Sequence, residues 1–175
     1  MNAVEAEIIR TRRLELSPLR VEQAEEMAAV LSDPALHTFI GGTPLTLPEL
    51  RARYRRLTGG SPDPAVTWLN WVVMARDENR LAGTVQATIA PADGGAVAEV
   101  AWVVGTPWQG RGIATEAARG LVGWLGGLGP VRRIVAHVHP EHHASSAVAA
   151  AAGLQPSGER QADGEVRWAL EVSGG

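Results

Sequence analysis

At 175 residues with 45% apolar content, the chain is long enough to bury one sizeable core and too short for two ordinary domains, so residues 1–175 read as a single domain. It has no cysteine and all 16 basic residues are arginine, which excludes disulfides, thiolate metal sites, cysteine nucleophiles, Schiff-base chemistry and a lysine-dependent phosphate loop. A net charge of −3 argues against a nucleic-acid partner. No apolar run is long enough for a bilayer span, and MNAVEAEIIRTRR lacks the order of a secretory leader, so the expectation is a cytoplasmic protein without a membrane partner.

In chain order, Ile8 to Leu16 reads as a first strand, and Val21, Ala24, Ala28 and Leu31 recur at helical spacing until Asp33-Pro34. Thr46 with Glu49 three residues on forms a capping-box pattern, and Pro48 suits the first turn of a helix reaching about Leu57. After the loop TGGSPDPA, residues 58–65, the period changes. WLNWVVMA at 68–75, the alternating Leu81, Gly83, Val85, Ala87 and Ile89, and EVAWVV at 99–104 read as an antiparallel meander.

Ala114, Ala117, Ala118, Leu121, Val122 and Leu125 then make an apolar helical stripe that stops in GGLGP, residues 126–130. Ile134, Ala136 and Val138 alternate in a strand. Residues 144–152 form a short helix capped by Gly153, and VRWALEV at 166–172 is a last strand.

WQGRGIATEA, residues 108–117, joins the meander to the long helix. Two readings are open: glycines that only ease a tight strand-to-helix turn, or a cradle in which the free N–H groups of a helix start meet phosphate. The third glycine of a dinucleotide fingerprint is absent, because Gly110-Arg111-Gly112 is followed by Thr115.

Gln109, Gly112 and Ala114 fit a Q/R-x-x-G-x-G/A signature, and with it the chain resembles the GNAT superfamily of acyl-CoA N-acyltransferases, especially its ribosomal-protein N-terminal acetyltransferase-like branch. RTRRLELSPL, AEVAWVVGTPWQGRGIATEA and HPEHHASSAVAAAAGL carry the resemblance in order over nearly the whole chain. It implies an α+β, mixed α/β fold: one GNAT-like domain whose central, mostly antiparallel twisted sheet is flanked by helices. It also implies acetyl-CoA as acyl-donor cosubstrate, no metal, a primary-amine acceptor on a protein N-terminus or small molecule, and often a homodimer.

By that resemblance Gln109, Gly110, Arg111, Gly112, Ile113, Ala114 and Thr115 hold the coenzyme pyrophosphate mainly through backbone, and Val103 and Val104 meet the pantetheine as an added strand would. Arg111 also stands to reach a phosphate oxygen. Direct amine attack requires a proton acceptor, an oxyanion donor and a group for the departing thiolate, but no covalent enzyme intermediate. Glu99 is the candidate base and a backbone N–H near Val104 the oxyanion donor.

Two positions depart from the family pattern. His142 stands where many members have asparagine, so an imidazole is left to meet the pantetheine arm or move a proton. Ala149 stands where many have the tyrosine that protonates the thiolate, which leaves Ser145 as the candidate contact to sulfur. A catalytically silent CoA-binding sensor or interaction domain is therefore the alternative function.

His137 and His139 alternate on one strand face but have no acidic pair close in sequence, so lining the acceptor cleft or its rim, with His137 a substrate-binding candidate, is preferred to a metal site. Phe39, Ile40, Trp68, Trp71 and Trp102 are candidates for the cleft wall, with Thr38 to Gly42 closing over the acceptor as the resemblance implies.

Overall fold

A computed structural model describes residues 4–39 and 41–172. The strands are β1 (Ile9–Arg10), β2 (Leu14–Pro18), β3 (Thr67–Ala75), β4 (Arg80–Ala92), β5 (Gly95–Val104), β6 (Val131–Val138), β7 (Gln155–Arg160) and β8 (Val166–Glu171). The helices are α1 (Ala24–Val30), α2 (Leu47–Thr58), α3 (Ile113–Gly126) and α4 (His143–Ala151). The strands form one sheet in the order β1-β2-β3-β4-β5-β6-β8-β7, antiparallel at every junction except β5–β6. This is the mixed, mostly antiparallel architecture that the sequence suggested.

Local chemistry sets several boundaries. Thr46 caps α2: Glu49 N–H donates to its hydroxyl at 3.3 Å, and Thr46 N–H donates to the Glu49 carboxylate at 2.9 Å. Such a cap stabilises a helix start by about 1 kcal/mol. In α3, Ile113, Ala117, Ala118, Leu121, Val122 and Leu125 are buried. Each large member contributes roughly 1.5–3 kcal/mol by leaving water, an upper bound because a real unfolded chain already buries some surface.

The sheet separates two apolar clusters. On one face Val72 and Leu81 pack with Met27, Leu50 and Tyr54 of α1 and α2. On the other, Trp71, Val73, Val85 and Ala87 pack with the buried stripe of α3 and with Val148 and Ala149 of α4.

Three expectations needed correction. The single first strand is a hairpin, β1–β2, turned at residues 11–13. Leu81 does not share a face with Val85, because a register shift opposite Val73 and Met74 changes the parity of β4 and sends it to the α1–α2 side. β7, absent from the sequence reading, forms the sheet edge beside β8.

The feature that positions the site is a split in the sheet. β5 and β6 are paired only from Ala96↔Val131 to Glu99↔Val135. Beyond that rung β5 continues to Val104 against β4, and β6 continues to Val138 against β8. The two strands part, leaving alternate backbone groups of residues 100–104 facing the gap.

Candidate active site

The loop beyond β5 holds its shape through its own side chains. Gln109 Nε2 donates to the Val104 carbonyl at 3.1 Å, tying the loop back to the strand end. Gly110 and Gly112 both sit at φ 76°, the left-handed region that glycine enters without a Cβ clash. Gly112 is the N-cap of α3 and has no side chain to cap it. The first helical bond runs from Glu116 N–H to the Gly112 carbonyl at 3.0 Å, so the N–H groups of Ile113, Ala114 and Thr115 precede the ladder. They converge with the positive end of the helix dipole, the arrangement that suits a phosphate.

Arg111 joins this loop by its backbone. Its guanidinium lies 2.6 Å from the Glu78 carboxylate and 4.8 Å from the Trp108 ring centroid, so the side chain is already engaged away from the expected phosphate contact. Glu116, in the first turn of α3, clasps the β1–β2 turn. Its carboxylate accepts from the Thr11 hydroxyl, from Arg13 N–H at 2.8 Å and from Arg13 Nε at 2.7 Å. Burial alone would push this carboxyl up, but those hydrogen bonds and the Arg13 charge outweigh it and hold it below its ordinary value. Arg12 and Arg119 line the hollow beside this helix start.

At the fork of β5 and β6, Glu99 Oε1 lies 2.7 Å from His137 Nδ1. The Glu99 side chain is 52% exposed and that of His137 only 19%. The other ring nitrogen of His137, Nε2, is buried without a hydrogen-bond partner among the described residues. The pair therefore has one open end, the carboxylate, facing solvent and the split.

Across the split, the start of α4 brings three side chains together. Ser145 Oγ lies 3.3 Å from His142 Nε2. The His142 ring stacks on Phe39 with centroids 4.5 Å apart and planes 15° from parallel, and Phe39 also touches His139 at 5.0 Å. Burial, reinforced by the positive charge of His139, holds His142 below its ordinary pKa of 6.5 and so favours the neutral ring. Ala149, one turn on, is fully buried in the core and presents no group to the split.

A cavity of about 550 Å³ opens on the α1–α2 face of the sheet, floored by Asn70, Gln86, Ala101 and Val103 and roofed by leucines that flank α1, lie in the α1–α2 connection or belong to α2. Trp102 borders it, but its indole shares the rung of Trp71 and Val85, turns to the α3 side and packs half-buried against that cluster, so it departs from the expected cleft wall. Trp71 bounds it only from beneath. Its side chain has no exposed surface, meets Trp124 edge-on at 5.3 Å and donates Nε1–H to the Glu7 carbonyl. Alternation along β3 turns this indole toward α3, so its burial in the core corrects the expected cleft wall. Ile40 lies outside the described residues.

The sequence matches the family described as the acetyltransferase (GNAT) domain over residues 13–155. The chain belongs to the GNAT acetyltransferase family. Solved structures with the same fold include a GNAT-family acetyltransferase from Bacillus anthracis, at 21% identity and TM-score 0.78, over 95% of this chain and 99% of that one. RimL, a ribosomal L7/L12 alpha-N-protein acetyltransferase in complex with coenzyme A, matches at 17% identity and TM-score 0.76, over 97% and 100%. The microcin C7 self-immunity acetyltransferase MccE, in complex with acetyl-CoA and AMP, matches at 16% identity and TM-score 0.76, over 93% and 94%. No curated protein matches the chain.

Within this GNAT chain the structure gathers Glu99 and His137 at the fork, Val103 and Val104 on the open edge, residues 109–115 beyond them, and Phe39, His142 and Ser145 opposite. Among the described residues, no three histidine or acidic side chains come together as a metal site, and no helix is long and apolar enough to cross a membrane.

Sequence reasoning missed the Glu99–His137 contact, the Glu116 clasp and the Asn70–Gln86 floor. The floor had a visible trace: Asn70, Thr84, Gln86 and Thr88 are polar residues on otherwise apolar strands, and the pairing puts them on one face.

Proposed function

We propose that this chain transfers an acetyl group from acetyl-CoA to a primary amine, of a protein N-terminus or a small molecule, by direct attack, with residues 1–175 acting as one GNAT domain. The observation that carries this reading is the end of β5–β6 pairing at Glu99↔Val135. It leaves a strand edge at Val103 and Val104 that leads straight into the Gly110–Thr115 amides. An extended pantetheine arm followed by a pyrophosphate fits an open β edge continued by a helix N-terminus.

The donor supplies an activated thioester carbonyl; the residues of the chain do the rest. Glu99, steadied by His137, accepts the proton of the incoming ammonium directly or through water. A backbone N–H near Val104 is the donor for the developing oxyanion. Ser145, held by neutral His142, offers its hydroxyl to the departing sulfur in place of the phenol that Ala149 lacks. Phe39, stacked on His142, brings the α1–α2 connection over this point and excludes water from it.

The test has two stages. Acetyl-CoA at 100 times its Kd should stabilise the protein by about 2.7 kcal/mol in thermal unfolding, and absence of any shift at saturation would remove the binding site itself. Thiol release with an amine panel then separates enzyme from sensor. Binding without release for peptide N-termini, amino acids and other amines would favour the silent CoA-binding alternative.

A further inference from the structure

The cavity on the α1–α2 face lies against the same strand that opens at the fork. Ala101 and Val103 line it, and Glu99 is two residues back along β5 on the same side of the sheet. An amine offered to Glu99 therefore has its body directed toward this space. The charge of the lining, with its shape, then decides what body fits.

Most of the wall is aliphatic, with Leu19, Leu31, Leu36, Leu50 and Leu57 among its residues. The floor is polar but uncharged: Asn70 and Gln86 are direct cross-strand partners, and neither side chain makes a hydrogen bond among the described residues. Tyr54 also lines the cavity. Burial pushes its phenol up to about 12, so it carries no negative charge near neutral pH.

Among the described residues no carboxylate lines the cavity. Arg53 does, and it makes no ion pair or side-chain hydrogen bond among the described residues. A second ammonium placed here would lose its water, meet no counter-charge and face a like charge. A carboxylate would instead find an unpaired guanidinium.

We infer that the acceptor is a monoamine with an apolar body and a carboxylate, of the kind an apolar amino acid presents, and that polyamines and aminoglycosides are rejected. This rests on the acetyltransferase reading for its chemistry, but its geometry is tested by binding alone. The orientation assigned is the apolar side chain among the leucines, with the α-carboxylate turned toward Arg53 and the α-amine, on the same carbon, turned toward Glu99.

The experiment is calorimetric titration of the CoA-loaded protein with phenylalanine, phenylalaninamide, spermidine and kanamycin. Phenylalanine should bind about tenfold more tightly than its amide, and at least about tenfold more tightly than either polycation. Arg53→Glu should lower the phenylalanine-to-amide ratio about tenfold while leaving thermal stabilisation by CoA in place.

Equal or tighter binding of spermidine or kanamycin overturns the inference, as does an unchanged ratio in a folded Arg53→Glu variant. Failure of phenylalanine to bind at all overturns it too. Thiol release measured in parallel keeps the two readings apart. Phenylalanine that binds as expected without being acetylated refutes the catalytic reading and leaves the cavity assignment standing. Kanamycin acetylated faster than phenylalanine does the reverse.

Discussion

Glu99 and His137 touch at 2.7 Å immediately past the last rung that joins β5 to β6. A carboxylate there is fixed in direction by the imidazole while its second oxygen stays accessible. If the two act as one unit, Glu99→Gln should lower kcat about 100-fold, the scale of a lost general base, with the deficit greatest at low pH and CoA affinity retained. His137→Asn should cost less, and the double variant no more than Glu99→Gln alone. Losses that simply add would show independent roles, and unchanged activity across pH in Glu99→Gln would remove the base assignment.

The neutral state of His142 has a thermodynamic signature. Its folded pKa is depressed below 6.5, chiefly by burial and then by His139, so between the two values the unfolded chain binds the extra proton. The stabilisation is complete above pH 6.5, declines as pH falls below it and levels off under the folded value. Urea midpoints of the wild type and His142→Asn should therefore converge as pH drops from 7.5 to about 5. A gap that stays constant over that range would mean that the ring is not held neutral.

Gly112 allows a separate test of the loop. Valine at φ 76° meets the steric cost of left-handed backbone, about 1–2 kcal/mol, and places a branched side chain beside the helix start. CoA affinity should fall by more than tenfold, whereas the kcat of the residual complex should change little. Retained affinity in a folded Gly112→Val protein would show that the phosphates bind elsewhere.

The Glu116 clasp predicts a second pH window, lower than that of His142. The carboxyl is held below its ordinary value of 4.5, so its contribution is present above pH 4.5 and disappears as pH falls through the folded value. Glu116→Gln should destabilise by about 1 kcal/mol at pH 7, a modest figure because the site is partly solvated, and by progressively less as pH falls below 4.5 through the folded value. A variant as stable as wild type at pH 7 would show that the β1–β2 turn does not depend on the clasp.

What the sequence made legible was local. Thr46, Pro48 and Glu49 specify the start of α2 through bonds within one turn, and Gly110 and Gly112 announce a backbone that other residues enter at a cost. What it concealed depends on distant pairing. Trp71 reads equally well as cleft or core until the parity of β3 turns it toward Trp124. Leu81 changes faces because of one irregular rung.

β7 escaped notice because QPSGER is exposed throughout and has no apolar period. Pro156 and Gly158 look like loop residues, yet an edge strand tolerates both. The meeting of Glu99 with His137 required knowing that β5 and β6 run parallel as neighbours, a fact carried by the α3 crossover rather than by either strand.

The parting of β5 and β6 also means that the sheet is unfinished as the chain alone builds it. Alternate amides at residues 100–104 have no strand to answer them on the fork side, and in the free protein they must turn to water. An extended donor bound along that edge would complete the sheet for the lifetime of the complex. Amide hydrogen exchange at those few positions would then act as an occupancy gauge, slowing in proportion to the fraction of molecules that are loaded.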